Sequence, residues 1–321
     1  MIETLLGLSL KGGDKSRLSI IDYHRITPEK DPYVDSFTQS ELDWQCSILK
    51  EYFNVLPLGQ AIDLLQKGKL PPRSVVITFD DGYANNHSLA LPILNKWDFP
   101  ATFFISSGFL DGGLMWNDAI IETFRRTKYE TLQVSGIDLM PEEIKGDYDL
   151  STEQNRIEAA NKFRLAVKYL GLSERDQVVA GLVEIAGVDL PKNIMLSSDQ
   201  VKDMHVSGMD IGGHTLSHPI LTTLSVEKAK QQIFEDKEKL QQTVGEAINH
   251  FAYPNGIPEK DFLPVHTQIL KEVGYKAAVT TKSGVSNPQT DVYQLPRFSP
   301  WDKTTLRYLY RMFMNGFGVY S

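Results

Sequence analysis

The hydrophobic pattern of the chain changes period repeatedly. Apolar runs at 18–23 (Leu-Ser-Ile-Ile-Asp-Tyr) and 74–78 (Ser-Val-Val-Ile-Thr) predict buried strands. Thr38-Gln39-Ser40-Glu41 is a capping box, opening a helix with Leu42, Cys46, Leu49 and Tyr52 on one side. A short strand over 54–58 and a helix over 61–66 follow, stopped by Gly68 and the Pro71-Pro72 pair. A helix over 89–97 leads to a strand over 101–105. Alternation of this kind favours a parallel sheet or barrel with helices outside.

Between 111 and 198 the alternation lapses. Of the 40 residues 141–180, 14 are charged, which predicts a solvated helical insertion. Ile157, Ala160, Phe163, Val167 and Leu170 still form one apolar stripe for docking. Alternation then resumes with a strand end at 209–212 and a long helix capped by Ser225. Strands over 248–253 and 275–280 flank a helix over 262–273, and 293–298 is the last strand. The expected organisation is a single domain over 1–321 with the insertion 111–198 inside it. The segment 304–317 is apolar on nearly every face, with Arg307 and Arg311 among the apolar positions. Two readings stay open: a closing helix buried against the fold, or a peripheral contact with a membrane surface or partner.

Composition narrows the functional classes. The 321 residues are 41% hydrophobic and 23% charged, with a net charge of −8. That balance speaks against a nucleic-acid binder, which needs surplus Lys and Arg to displace counterions. The single cysteine, Cys46, excludes a disulfide framework, a thiolate zinc cluster and an iron–sulfur site. A metal here must use His and carboxylate ligands. No window supplies the ~20 apolar residues of a membrane-spanning helix. Residues 1–13 lack the features of a secretory signal, so the expected location is the cytoplasm or the cytoplasmic membrane face.

Ionisable groups follow the predicted strands where barrels and open sheets build their sites. Asp80 and Asp81 precede Gly82, and adjacent buried carboxylates repel unless a cation or proton lies between them. Gly212-Gly213-His214-Thr215-Leu216-Ser217-His218 carries two imidazoles at i, i+4, which one helical turn would place on one face. Pro219 disfavours that helix. Asp81, His214 and His218 together make a two-His, one-carboxylate set with coordination positions left open, as in catalytic zinc sites. An ion there would lower the pKa of a water toward ~7, and Asp80 could act as general base. Zinc is the expected ion, and cobalt, nickel or iron also suit the donors.

Thr78–Tyr83 (TFDDGY) and His214–His218 (HTLSH) resemble the first two motifs of the polysaccharide deacetylases, carbohydrate esterase family 4 or the NodB-homology domain. The segments 22–26, 71–86, 101–106, 250–256 and 294–298 extend the resemblance across the chain outside the insertion. It implies a distorted (β/α)7 barrel with a metal at the C-terminal strand ends, and removal of acetyl groups from N-acetylated hexosamines in a glycan. It also implies that Asp80 is the general base and Asp81, His214 and His218 the ligands. Two departures stand out. Ala252 occupies the third-motif position where many members carry an Arg, so Arg297 becomes the residue expected to orient the base. No His follows His266 to supply the late acid, so His24 is expected to fill that role. The pattern looks like the branch acting on poly-N-acetylglucosamine and related exopolysaccharides. Tyr83, Tyr253 and Trp301 are candidates to line the sugar site, a core role for any one of them being equally open, with Trp116 a weaker candidate. An O-deacetylase and a non-catalytic glycan binder on the same fold are the alternatives.

Overall fold

The computed structural model describes residues 2–319. Twelve strands are described: β1 (Leu18–Tyr23), β2 (Arg25–Thr27), β3 (Ser36–Thr38), β4 (Asn54–Val55), β5 (Ser74–Phe79), β6 (Thr102–Ile105), β7 (Thr131–Gln133), β8 (Asp147–Asp149), β9 (Asp210–Gly213), β10 (His250–Ala252), β11 (Ala277–Val279) and β12 (Val285–Ser286). The α-helices are α1 (Ile2–Ser9), α2 (Gln39–Tyr52), α3 (Leu58–Gln66), α4 (Leu91–Trp97), α5 (Trp116–Arg126), α6 (Glu153–Val167), α7 (Leu172–Ala186), α8 (Ser198–Val206), α9 (Val226–Val244), α10 (Pro264–Val273) and α11 (Thr305–Gly316).

The main sheet runs β11-β10-β9-β6-β5-β1-β12, parallel except for β12, with β4 added at the start of β5. It curls far enough for its ends to meet. Leu295 bridges Val279 of β11, and Phe298 bridges Ile21 of β1. The segment 295–298 is therefore the seventh stave of a distorted (β/α)7 barrel. It is a pair of bridges, shorter than the strand expected over 293–298. Strands β4, β6, β10 and β11 are likewise shorter than the apolar runs by one to three residues at an end.

Parallel strands covered on both faces read as continuous apolar runs, but their side chains still alternate. Leu18, Ile20, Val76, Phe104, Ala252, Val279 and Leu295 fill the barrel interior, closed at one end by α3. Ile21, Tyr23, Ile77, Phe79, Phe103, Ile211 and Phe251 face outward and pack beneath the surrounding helices. Thr38 caps α2 in a complete capping box with Glu41, as expected. Ser225 caps α9.

The segment 111–198 holds more than helices, because β7 and β8 form an antiparallel pair between α5 and α6. Phe124, Phe163, Val167 and Leu182 belong to a core of its own, separate from the barrel's. α11 is buried along one face only, through Tyr308, Leu309 and Met312. Leu306 and Tyr310 on its other face are 79% and 61% exposed, beside the exposed Ile2 and Leu5 of α1. Among the described residues, no helix is long and apolar enough to cross a membrane.

Thr38→Ala removes the α2 cap and is expected to lower stability by about 1 kcal/mol. Urea unfolding with an unchanged denaturant slope would register this as a shifted midpoint alone.

Candidate active site

Parallel pairing brings several strand ends to one rim. Tyr23 of β1 lies opposite Phe79 of β5, and Ile105 of β6 opposite Gly213 of β9. The residues that follow, His24, Asp80-Asp81 and His214, thus emerge at the same end, joined there by Arg297 from the closing segment. That is where barrels of parallel strands carry their chemistry.

Alternation continues inward past the end of β5. Val76 points into the barrel, Thr78 meets Arg297, and Asp80 follows at the next inward position. Leu295 points inward as well, so Arg297, two residues on, enters the same interior. Its guanidinium donates from Nη1 and Nη2 to the two Asp80 oxygens at 2.7 and 2.6 Å. Arg297 also donates to Thr78 Oγ1 and to the Thr280 carbonyl, and both charged groups are buried. Burial alone would push the Asp80 carboxyl up, but Arg297 overrides it and holds the group below the usual carboxylate range. Position 252, where the family often has Arg, carries an alanine packed into that interior.

Asp81 leaves the extended conformation. Its φ of 76° and that of Gly82, 88°, turn the chain sharply and aim its carboxylate away from that of Asp80. A Cβ at Gly82 would lie 2.8 Å from Ile105, so the turn also demands glycine on steric grounds. Asp81 Oδ1 lies 3.4 Å from His214 Nε2 and 3.3 Å from His218 Nε2.

The two imidazoles converge without a helical turn. Thr215 and His218 have φ of 66° and 52°, and this irregular loop delivers both rings to Asp81. The helix that Pro219 disfavours is not formed: the left-handed residues exclude it, and tertiary contacts set the spacing. His214 Nδ1 donates to the Ala252 carbonyl at 2.6 Å, which leaves Nε2 as the nitrogen turned toward Asp81. Burial pushes the His218 imidazole down to about 3, so it is neutral near pH 7, whereas the His214 imidazole is raised, burial being outweighed by Asp81 and Asp80. The His218 Nδ1 is buried without a partner. One ligand atom from each of Asp81, His214 and His218 lies within 4.8 Å of the others. Two imidazoles and an ionised carboxylate at this spacing suit a divalent cation, which would displace any proton between His214 and Asp81.

His24, Tyr83 and Trp301 line a cavity that also reaches Asp81. Trp301 is 49% exposed and stacks on Phe37 at 4.3 Å. Tyr253 is elsewhere. It follows the outward Phe251, stacks on Phe262 at 3.7 Å, and its hydroxyl is held by Thr267 and the Tyr293 carbonyl. The expectation that Tyr253 faces sugar is corrected on parity: period-2 alternation sends it into the outer core. Trp116 lies in the insertion with the Arg175 guanidinium 4.9 Å from its ring.

Three residues not singled out from sequence also shape the site. Asp236 of α9 accepts from Ser107 N, Ser107 Oγ and His214 N at 2.6–2.9 Å, tying the β6 and β9 loops together. A Cβ on Gly213 would lie 2.1 Å from the Tyr275 hydroxyl and 3.0 Å from Asp236, so glycine is needed for this close approach. Arg25 donates to Asp118 at 2.7 Å across the cavity wall. A charged residue on the buried face of an amphipathic helix was the available signal for both Asp236 and Asp118.

A barrel with two imidazoles and a carboxylate at its mouth, beside a buried Asp–Arg pair, defines a hydrolase-type metal-ready centre. Residues 67–139 and 177–278 match the polysaccharide deacetylase family, and the chain belongs to it. The unmatched stretch between them lies within the insertion. The poly-beta-1,6-N-acetyl-D-glucosamine N-deacetylase of Staphylococcus epidermidis is 34% identical over 107 residues, covering 29% of this chain and 37% of that protein. The chain's match thus spans little more than a third of that relative's length. The putative polysaccharide deacetylase YxkH of Bacillus subtilis is 19% identical over 90% of this chain and 73% of its own length. Among solved structures, IcaB from Ammonifex degensii shares the fold with a TM-score of 0.59 at 19% identity, over 95% of this chain and 98% of that one. The Streptococcus pyogenes deacetylase PplD in complex with acetate gives 0.58 at 19% identity, over 89% and 92%.

Arg297→Met leaves a buried carboxylate unpaired and is expected to cost roughly 3–5 kcal/mol of stability by urea unfolding at neutral pH. The pair lowers the folded-state pKa of Asp80, so its contribution holds above the unfolded carboxylate value of ~3.9 and is lost as pH falls through the folded value. The deficit of the variant should therefore shrink in acid.

Proposed function

We propose that the chain is a divalent-metal-dependent N-deacetylase acting on N-acetylhexosamine units of a polysaccharide. The observation that carries this reading is the placement of an Arg-clamped, ionised Asp80 next to the Asp81–His214–His218 trio. One group is kept ready to take a proton, and the other three are free to hold a cation. The relative from Staphylococcus epidermidis supports an N-acetylglucosamine polymer as the substrate class.

Asp81, His214 and His218 would hold the ion, with zinc the expected occupant and cobalt, nickel or iron accepted by the same donors. A divalent cation there supplies Lewis acidity and a lowered pKa for water. Asp80 takes the proton from the water that attacks the acetamide carbonyl. Arg297 keeps that carboxylate charged and fixes its orientation through both oxygens. His24, in the same cavity as Asp81, donates a proton to the departing amine. Trp301 and Tyr83 present aromatic surface to the sugar.

Asp80→Asn is expected to abolish acetate release from N-acetylglucosamine oligomers while zinc still binds. His214→Ala is expected to lose zinc, read by metal content after dialysis. Full turnover by Asp80→Asn would remove the base from this residue. Acetate release confined to O-acetylated oligosaccharides would make the protein an esterase instead.

A further inference from the structure

The first and last helices meet on one side of the barrel. α1 and α11 pack against each other, so closely at Gly316 that a Cβ there would lie 2.7 Å from Ser9 Oγ. Leu6 of α1 and Tyr308, Leu309 and Met312 of α11 join the core. The positions turned away from the core are apolar as well. Along α11, Leu306, Tyr310, Phe313 and, in the C-cap, Phe317 recur at i, i+4, i+7 and i+11, which is a single stripe of a 3.6-residue helix. Leu5 and Leu8 of α1 are exposed beside it. An apolar groove of about 230 Å³ runs between the two helices, with Leu5, Leu306, Tyr310 and Phe313 among its walls. A single apolar side chain on a surface needs no explanation, but a contiguous set marks a contact.

The border of this face is basic. Residues 2–17 and 302–319 carry six Lys and Arg against three carboxylates, a net of +3 in a chain whose net charge is −8. Two of those carboxylates are already matched, Glu3 by Arg73 and Asp302 by Arg311. Lys11, Lys15, Lys303 and Arg307 are exposed, and none of the four takes part in an ion pair among the described residues. Arg17 donates to the Gly316 carbonyl and holds its guanidinium 5.7 Å from the centre of the Phe317 ring. Long basic side chains can lay their stems along apolar surface and keep the charge at its edge. An apolar stripe with a tyrosine in it and cations beside it is the pattern of a helix that lies in a headgroup layer. A second copy docking by the same face would bring two positive rims together, which disfavours a self-contact.

We propose that the exposed face of α1 and α11 docks on a membrane surface bearing anionic lipid headgroups. Leu5, Leu306, Tyr310 and Phe317 enter the boundary between headgroups and acyl chains, and Lys11, Lys15, Lys303 and Arg307 meet the headgroup charge. Apolar insertion and a basic rim reinforce each other, since one such signal alone gives only marginal attachment. Both helices stay packed on the barrel through their other faces, so docking requires no unfolding.

The test is flotation of the full chain with vesicles of phosphatidylcholine alone, and with vesicles of phosphatidylcholine and phosphatidylglycerol in equal parts. This readout is independent of the deacetylase reading. Binding is expected to the anionic vesicles only, and to weaken as salt is raised. Leu306→Ser with Tyr310→Ser, and separately Lys303→Glu with Arg307→Glu, are each expected to lower the partition coefficient about 10-fold or more. All four side chains are exposed, so both double variants are expected to keep the wild-type urea midpoint. Equal binding to the two vesicle types, no binding to either, or unchanged partition of either double variant overturns the proposal. A stable dimer in sedimentation velocity that Leu306→Ser with Tyr310→Ser dissociates would assign the face to a second copy and overturn it as well.

Discussion

Asp80 and Arg297 lie 217 positions apart and meet through two short hydrogen bonds in a place shielded from water. Such a pair is tolerable only when both ions are fully hydrogen-bonded, since desolvating either alone is expensive. The structure meets this condition by using Arg297 three ways: on Asp80, on Thr78, and on the Thr280 carbonyl at the end of β11. The same contacts close the barrel. The segment carrying Arg297 pairs with β11 on one side and β1 on the other, so the clamp on the base is also the last stave. Stability and site geometry therefore depend on one interaction.

A second buried carboxylate does comparable work for the imidazole side. Asp236 gathers the loops after β6 and β9 by accepting three hydrogen bonds, one of them from the His214 backbone. The Ala252 carbonyl then sets the His214 tautomer, so the metal-facing nitrogen is chosen by the neighbouring strand. Ala252 and Arg297 face the same interior, so a guanidinium at 297 can reach the base that a side chain at 252 would also face. A guanidinium from the closing segment reaches the base there in place of one from β10.

Much of this was legible in the sequence. The apolar runs located the barrel strands, the capping box located α2, and the two short motifs named the residues that converge. Pro219 already spoke against a helix through His214 and His218, but the loop that brings them together was not legible, because left-handed Thr215 and His218 are set by tertiary contacts that no local pattern displays. Of the two roles open to Tyr253, the structure takes the core one for a simple reason. Its chemistry suggested a sugar platform, while its parity with Phe251 sent it outward. Asp118 and Asp236 belong to no motif, and a charge on the buried face of a helix was the local signal that marked them. The hairpin of β7 and β8 was hidden by a composition that looked uniformly helical and charged.

The account rests on a cation held by Asp81, His214 and His218 beside an ionised Asp80. Acetate release from N-acetylglucosamine oligomers, followed with a chelator and then with added zinc, tests it most directly. The account predicts release that the chelator abolishes and zinc restores. Release that proceeds unchanged in the chelator, or no release with any divalent ion, would contradict it.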